Sequence, residues 1–99
     1  MLVIAGTISL DPEDRDAFLE NAKAASAGTR TEEGNHEYVF SADGTDPGLV
    51  HLFELWDSED RLPAHRDSEH MGAFGAANKG LRFTGRDIMK YYVSDSEPL

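Results

Sequence analysis

The chain has no cysteine among its 99 residues. That excludes disulfides, thiolate metal ligation and thiol nucleophiles together, and leaves the redox compartment unread. No apolar run approaches the roughly 20 residues needed to span a bilayer. The opening MLVIAGTISL lacks a basic segment and a small-residue cleavage site before it turns acidic at Asp11, so it does not read as a signal peptide and a cytoplasmic protein is expected. Basic residues are scarce: nine Lys and Arg stand against nineteen Asp and Glu, a net charge of −10. Such a surface repels phosphate backbones and anionic lipid, so neither nucleic acid nor membrane is an expected partner. The acidity itself reads as a solvated face that keeps the protein soluble. No glycine-rich loop follows a strand to cradle a nucleotide, and neither HExxH nor GxSxG occurs. His65 and His70 are five apart across a helix break, a poor zinc geometry, so no metal is expected.

What is present suits one small domain over residues 1–93, followed by an acidic tail over 94–99. A domain of this size buries a modest fraction of its surface, and self-association would help it. Residues 2–10 alternate, with Leu2, Ile4, Ile8 and Leu10 on one face, which is the period of a strand. Asp11-Pro12 then opens a helix: Asp11 can cap, proline fits the first turn, and Glu13 and Asp14 suit its positive end. Phe18, Ala22 and Ala25 form the apolar stripe, and Gly28 is the expected stop. A loop to Gly34 precedes strands at 35–42 and 49–56, joined as a hairpin through the turn chemistry of Asp43-Gly44-Thr45-Asp46-Pro47-Gly48. Asp57 or Ser58 caps a short helix that Pro63 should bend or shorten. Ser68 caps another to about Asn78, and residues 82–93 form a last strand.

The order β-α-β-β-α-α-β predicts an α+β, ferredoxin-like fold with helices on one face of a four-stranded antiparallel sheet. The strand at 49–56 is apolar on both faces, Leu49, His51, Phe53 and Leu55 against Val50, Leu52, Glu54 and Trp56. Helices can cover one face, and little chain is left for the other. A second subunit's sheet is therefore expected there.

Few polar residues look out of place. Glu54 lies between Leu52 and Trp56 on a face that should be buried, so it must find partners or take up a proton. Asn35 and Glu37 share a parity on the neighbouring strand, and either could be that partner. His65 and His70 follow on the helices that should cover this face. His65 near a helix end could simply complement the dipole, and His70 in the first turn after Ser68 could be a surface residue. Trp56 suits a core or a pocket wall, and Tyr91 and Tyr92 suit packing.

Glu33-Gly34-Asn35, Glu54-Leu55-Trp56-Asp57, Ala64-His65 and Ser68-Glu69-His70-Met71 followed by Phe74 occur in an order and spacing that resembles the antibiotic biosynthesis monooxygenase (ABM) domain family. The resemblance implies a homodimer in which two four-stranded sheets pack into an α+β barrel, with a pocket between each sheet and its helices. It further implies an oxygenase that needs no flavin, haem or metal and oxidises a small phenolic, anthrone-like or quinol substrate with dioxygen. In that setting His65 or His70 is the expected base, Asn35 donates to the substrate oxygen, and Glu54 orients an imidazole. Glu54, Trp56, Phe74 and Tyr91 are the expected substrate-binding residues. A haem-degrading branch of the fold depends on an Asn, a Trp and a His where this chain has Gly6 or Thr7, His65 and Gly75, so haem degradation is not expected.

Two other functions fit the same pattern: an isomerase of a small polar metabolite, phosphorylated or not, and a non-catalytic small-molecule-binding domain. Fold alone does not separate them. An apolar pocket with one or two polar groups favours the oxygenase. Basic residues converging on it favour a phosphorylated ligand, and a closed pocket favours the binding domain.

Overall fold

A computed structural model describes all 99 residues. Strand β1 (Leu2–Leu10) is followed by a 3-10 turn over Pro12–Asp14 and helix α1 (Arg15–Thr29). The hairpin β2 (Asn35–Ala42) and β3 (Leu49–Trp56) follows, then a second 3-10 turn, Glu59–Arg61. Short helices α2 (Leu62–Arg66) and α3 (Glu69–Ala77) precede β4 (Phe83–Tyr92). The strands form one four-stranded antiparallel sheet in the order β2-β3-β1-β4. This is the α+β, ferredoxin-like arrangement that the element order predicts. No helix is long and apolar enough to cross a membrane.

Local chemistry accounts for most of the boundaries. The Asp11 carboxylate accepts from the Glu13 N–H at 2.9 Å, and Ser68 Oγ accepts from the Met71 N–H. Each satisfies a donor that a helix start would otherwise orphan. The helical run around Pro63 is short and divided: the 3-10 turn passes into a five-residue α2, with the proline in its first turn, where the missing N–H has no partner to lose. Gly28 does not stop α1, which runs one residue further with no positive φ at that glycine. Its significance is spatial and belongs to the site.

The helix-side face of the sheet holds the core. Leu2, Trp56 and Leu62 form one buried cluster, and Leu10, Phe18 and Val50 form another. Pairing arranges this face in rows across the strands. Tyr38, Glu54, Ile4 and Lys90 make one row; Phe40, Leu52, Gly6 and Ile88 make the next; Ile8 and Arg86 belong to a third. Gly6 must lack a side chain, since a Cβ there would stand 2.0 Å from the Asp87 carbonyl oxygen. The opposite face is open. Val39, Phe53, Ala5 and Met89 form a row across all four strands there, and Phe53 and Met89 are 38% and 55% exposed.

One irregularity matters. The β2–β3 register slips between Asn35 and Glu37, so Asn35 pairs with Trp56 while Glu37 pairs with Leu55. The shared parity expected of Asn35 and Glu37 is lost at this bulge. Tyr38, not Asn35 or Glu37, stands opposite Glu54.

Candidate active site

The sheet rows form the floor of a cavity of about 750 Å³, open to solvent, with α1, α2 and α3 supplying roof and walls. Of its 18 lining residues 12 are hydrophobic, and the size falls within the range of small-molecule sites. Phe18, Phe40 and Phe74 meet at one end with ring centroids 5.4 to 5.6 Å apart, giving an aromatic wall. Phe74 thus lines the cavity.

His65 is buried at 5% exposure and lines the same cavity. Its ring lies 5.0 Å from that of Trp56 and 5.4 Å from that of Tyr38, centroid to centroid. Nδ1 of His65 is 2.8 Å from Oε2 of Glu32, and Nε2 of His70 is 2.7 Å from the same oxygen. An ionised carboxylate only accepts, so both of these ring nitrogens carry hydrogens when Glu32 is charged. The other nitrogen of the neutral His65 ring, Nε2, then holds the lone pair. Glu32, not Glu54, is the carboxylate in hydrogen-bond contact with the His65 ring. Its loop is held on both sides: the Glu32 N–H donates to the Thr29 carbonyl at 3.0 Å, and the Asn35 N–H donates to the Glu32 carbonyl at 3.2 Å.

His70 is not a cavity residue. It reaches Glu32 from the α1–α3 groove on the far side, packed where Gly28 leaves room: a Cβ on Gly28 would meet His70 Cγ at 2.6 Å. Glu32, His65 and His70 bring three ligand atoms within 4.8 Å of one another, a donor set that could take a divalent cation. The sequence spacing of the two histidines argued against such a set, but a loop carboxylate supplies the third member.

Glu54 is buried and lines the cavity, and its Oε1 accepts from the Trp56 indole N–H at 2.9 Å. Burial pushes its carboxyl above the usual range, against the opposing pull of the indole N–H and the smaller pull of His65. Burial likewise pushes the Tyr38 phenol well above its ordinary value, reinforced by the charges of Glu54 and Glu32. Tyr38 stays protonated and serves as a donor; its hydroxyl now has only Met71 Sδ, at 3.8 Å. Neither Glu32 nor Tyr38 stood out in the sequence. One lies in a short polar loop, and the other reads as an ordinary strand aromatic.

Besides His70, three more expected residues are placed away from the cavity wall. Trp56 is fully buried in the core and touches the site through Glu54 and the His65 ring. Asn35 spends its amide N–H donors on the Glu37 and Leu55 carbonyls, at 3.0 and 3.5 Å, while its buried Oδ1 has no partner. Tyr91 pairs with Val3 on the open face and is 51% exposed, so the sheet separates it from the cavity.

The sequence matches the model of the family described as "Antibiotic biosynthesis monooxygenase" over residues 1–77. The chain belongs to this family. A Bacillus subtilis protein named "Putative monooxygenase YcnE" is 31% identical over 96 residues, which is 96% of this chain and 100% of that protein. Among solved structures, PA3566 from Pseudomonas aeruginosa superposes with a TM-score of 0.82 at 26% identity, covering 95% of this chain and 94% of its own. A Deinococcus radiodurans protein named "putative antibiotic biosynthesis monooxygenase" gives 0.86 at 24% identity, covering 100% and 98%. Membership and the relatives' names support a monooxygenase-like function.

Proposed function

We propose that this protein is a cofactor-independent monooxygenase that oxidises a small phenolic, anthrone-like or quinol substrate with dioxygen. The observation that carries the reading is His65: a buried imidazole on an apolar cavity wall, held through Nδ1 by Glu32 so that Nε2 is the free base. In the anthrone case, Nε2 takes a proton from the substrate methylene, and the electron-rich anion passes electrons to dioxygen. A carbon–oxygen bond forms, the hydroperoxide loses water, and a carbonyl replaces the methylene. One molecule of dioxygen yields one carbonyl oxygen and one water, so no outside reductant is required. In this reading the Tyr38 O–H, buried at the cavity floor and kept protonated, donates to the substrate oxyanion. Glu32 positions the base, and His70 holds Glu32 from behind.

Two copies of the chain, packed through the open sheet faces, form the proposed working unit. The exposed row of Val39, Phe53 and Met89 supports this, because an apolar sheet face of a monomer would be left wet. A cytoplasmic setting completes the proposal.

Oxygen uptake with the anthrone dithranol tests the chemistry. A correctly assigned base predicts a loss of about 10²- to 10⁴-fold in kcat for His65→Ala. His70→Ala should fall less, since the base itself remains. No uptake by the wild type with any phenolic or anthrone substrate removes the oxygenase reading.

A second reading, isomerisation of a small polar metabolite through the same His65, is favoured by one observation. Arg66, Arg86 and Lys90 all line the cavity. The mostly apolar wall weighs the other way.

A further inference from the structure

We infer that the cavity takes an aromatic substrate bearing a carboxylate or phosphate, with the oxyanion held at the β4 edge by Arg86 and Arg66. This rests on the oxygenase reading for the aromatic end, and adds the substrate's class. The chain carries nine Lys and Arg against nineteen Asp and Glu, yet three of the nine, Arg66, Arg86 and Lys90, line one cavity. The carboxylate on that wall is Glu54, whose ionisation burial disfavours. Glu59 lies at the rim and takes Lys90 and the Tyr92 hydroxyl. Neither arginine has a carboxylate within salt-bridge distance, whereas Arg61, Arg82 and Lys90 all do. Counting Glu59, the rim is left with a net positive charge in a strongly acidic protein, and such a concavity concentrates anions.

The sheet rows set the ligand's direction. Tyr38 and Phe40 lie on β2 at one side of the sheet, and Arg86, Ile88 and Lys90 alternate on the helix-side face of β4 at the other. Strands lie about 4.8 Å apart, so the three intervals from β2 to β4 span about 14 Å. A fused aromatic ring system fills the half near His65, Tyr38 and Phe40. A short anionic substituent then reaches Arg86. An Arg fork suits either oxyanion, since it matches carboxylate and phosphate alike. An edge strand also uses charge to deter strand addition, so the test must separate that duty from binding.

The experiment is calorimetric titration at low salt with three unreactive probes: 2-naphthoate, 2-naphthyl phosphate and the neutral 2-naphthylmethanol. Wild type should bind at least one anion about tenfold or more tighter than the alcohol, and the tighter anion identifies carboxylate or phosphate. Arg86→Glu keeps a charge on the edge strand but reverses its sign, so the preference should vanish while the alcohol still binds. Equal affinity for all three probes, or a preference that survives in both Arg86→Glu and Arg66→Ala, overturns the anion site and leaves the oxygenase reading standing. Failure of every probe to bind at millimolar concentration overturns the aromatic cavity along with it. Anion preference with no oxygen uptake on any substrate leaves the anion site standing and removes the oxygenase.

Discussion

Gly28→Ala should destabilise this protein, although the same change in a helix ordinarily stabilises. Gly28 lies inside α1, where replacing glycine by alanine is worth about 0.5–1 kcal/mol in helix propensity. Against that stands His70. A Cβ at position 28 would approach His70 Cγ at 2.6 Å, Nδ1 at 2.8 Å and Cβ at 2.9 Å. Because the His70 Cβ is among the crowded atoms, turning the ring does not clear the overlap. Helix α3 must shift to carry His70 away, and the 2.7 Å hydrogen bond from His70 to Glu32 is lost with the shift. That bond involves a carboxylate and is mostly shielded, the His70 and Glu32 side chains being 23% and 15% exposed, so its loss costs about 1.5–3 kcal/mol. The loss exceeds the gain, and a net destabilisation of about 1–2 kcal/mol follows. For a domain of this length that is a fall in Tm of roughly 5–15 °C. The decisive measurement is the double-mutant cycle by urea denaturation at one protein concentration. In a His70→Gly background all three crowded atoms are gone, and Gly28→Ala should stabilise by about 0.5–1 kcal/mol. If Gly28→Ala stabilises equally in both backgrounds, His70 does not pack against Gly28 and the clamp on Glu32 is not as described.

Three further outcomes are expected. The Glu54 carboxyl is raised by burial, so as pH climbs from about 4.5, its ordinary value, the unfolded chain ionises there first and the folded state loses stability until its own higher pKa is passed. Glu54→Gln keeps an acceptor for the Trp56 indole and abolishes that component; the difference between the two stability–pH curves should fall with rising pH in wild type, and parallel curves would show Glu54 to be unperturbed. Glu54→Leu strands the buried indole N–H instead, so it should be less stable than Glu54→Gln by about 1–3 kcal/mol, and equal melts would deny the Trp56 bond. Light scattering should give twice the chain mass for wild type and a shift toward monomer for Phe53→Glu, which sets a charge in the exposed apolar row; a monomeric wild type removes the barrel proposal. The visible spectrum of the purified protein should lack flavin and haem bands, and a stoichiometric band of either kind would contradict cofactor independence.

The fold was readable because its signals are local. Strict alternation in β1, the Asp11-Pro12 start, the turn-rich segment before β3 and the Ser68 cap each act over a few residues, and each stands where expected. The burial of Glu54 was readable for a related reason: β3 is apolar on both sides, so any polar residue between Leu52 and Trp56 is enclosed. Misreadings arose where one residue changes the phase. The slip between Asn35 and Glu37 leaves the composition of β2 untouched but turns Tyr38 toward Glu54, and a parity argument cannot see it. Tyr91 shows the converse. Its place on the last strand was plain, but assigning it to the ligand also required knowing which face the cavity occupies, and that is decided by where the helices return.

Glu32 is the instructive omission. A carboxylate in a short polar loop is nearly always solvated, and nothing in Thr31-Glu32-Glu33-Gly34 distinguishes the first glutamate from the second. The structure separates them by environment: Glu33 points outward to a loose pairing with Arg61 at 3.7 Å, while Glu32 turns inward between two imidazoles. What selects Glu32 is the placement of α2 and α3, residues 62–77, over the loop that opens β2. Two glycines permit that approach: Gly28 clears space for His70, and Gly34, at φ +86° with Arg61 packed where a Cβ would be, turns the chain into β2. The site thus depends on a long-range meeting of three segments, each unremarkable alone. This also separates His65 from His70, so alike in sequence. Both hold the same oxygen of Glu32, but only the His65 ring continues into the cavity, which is why the proposed proton transfer is assigned to His65 and the positioning of the carboxylate to His70.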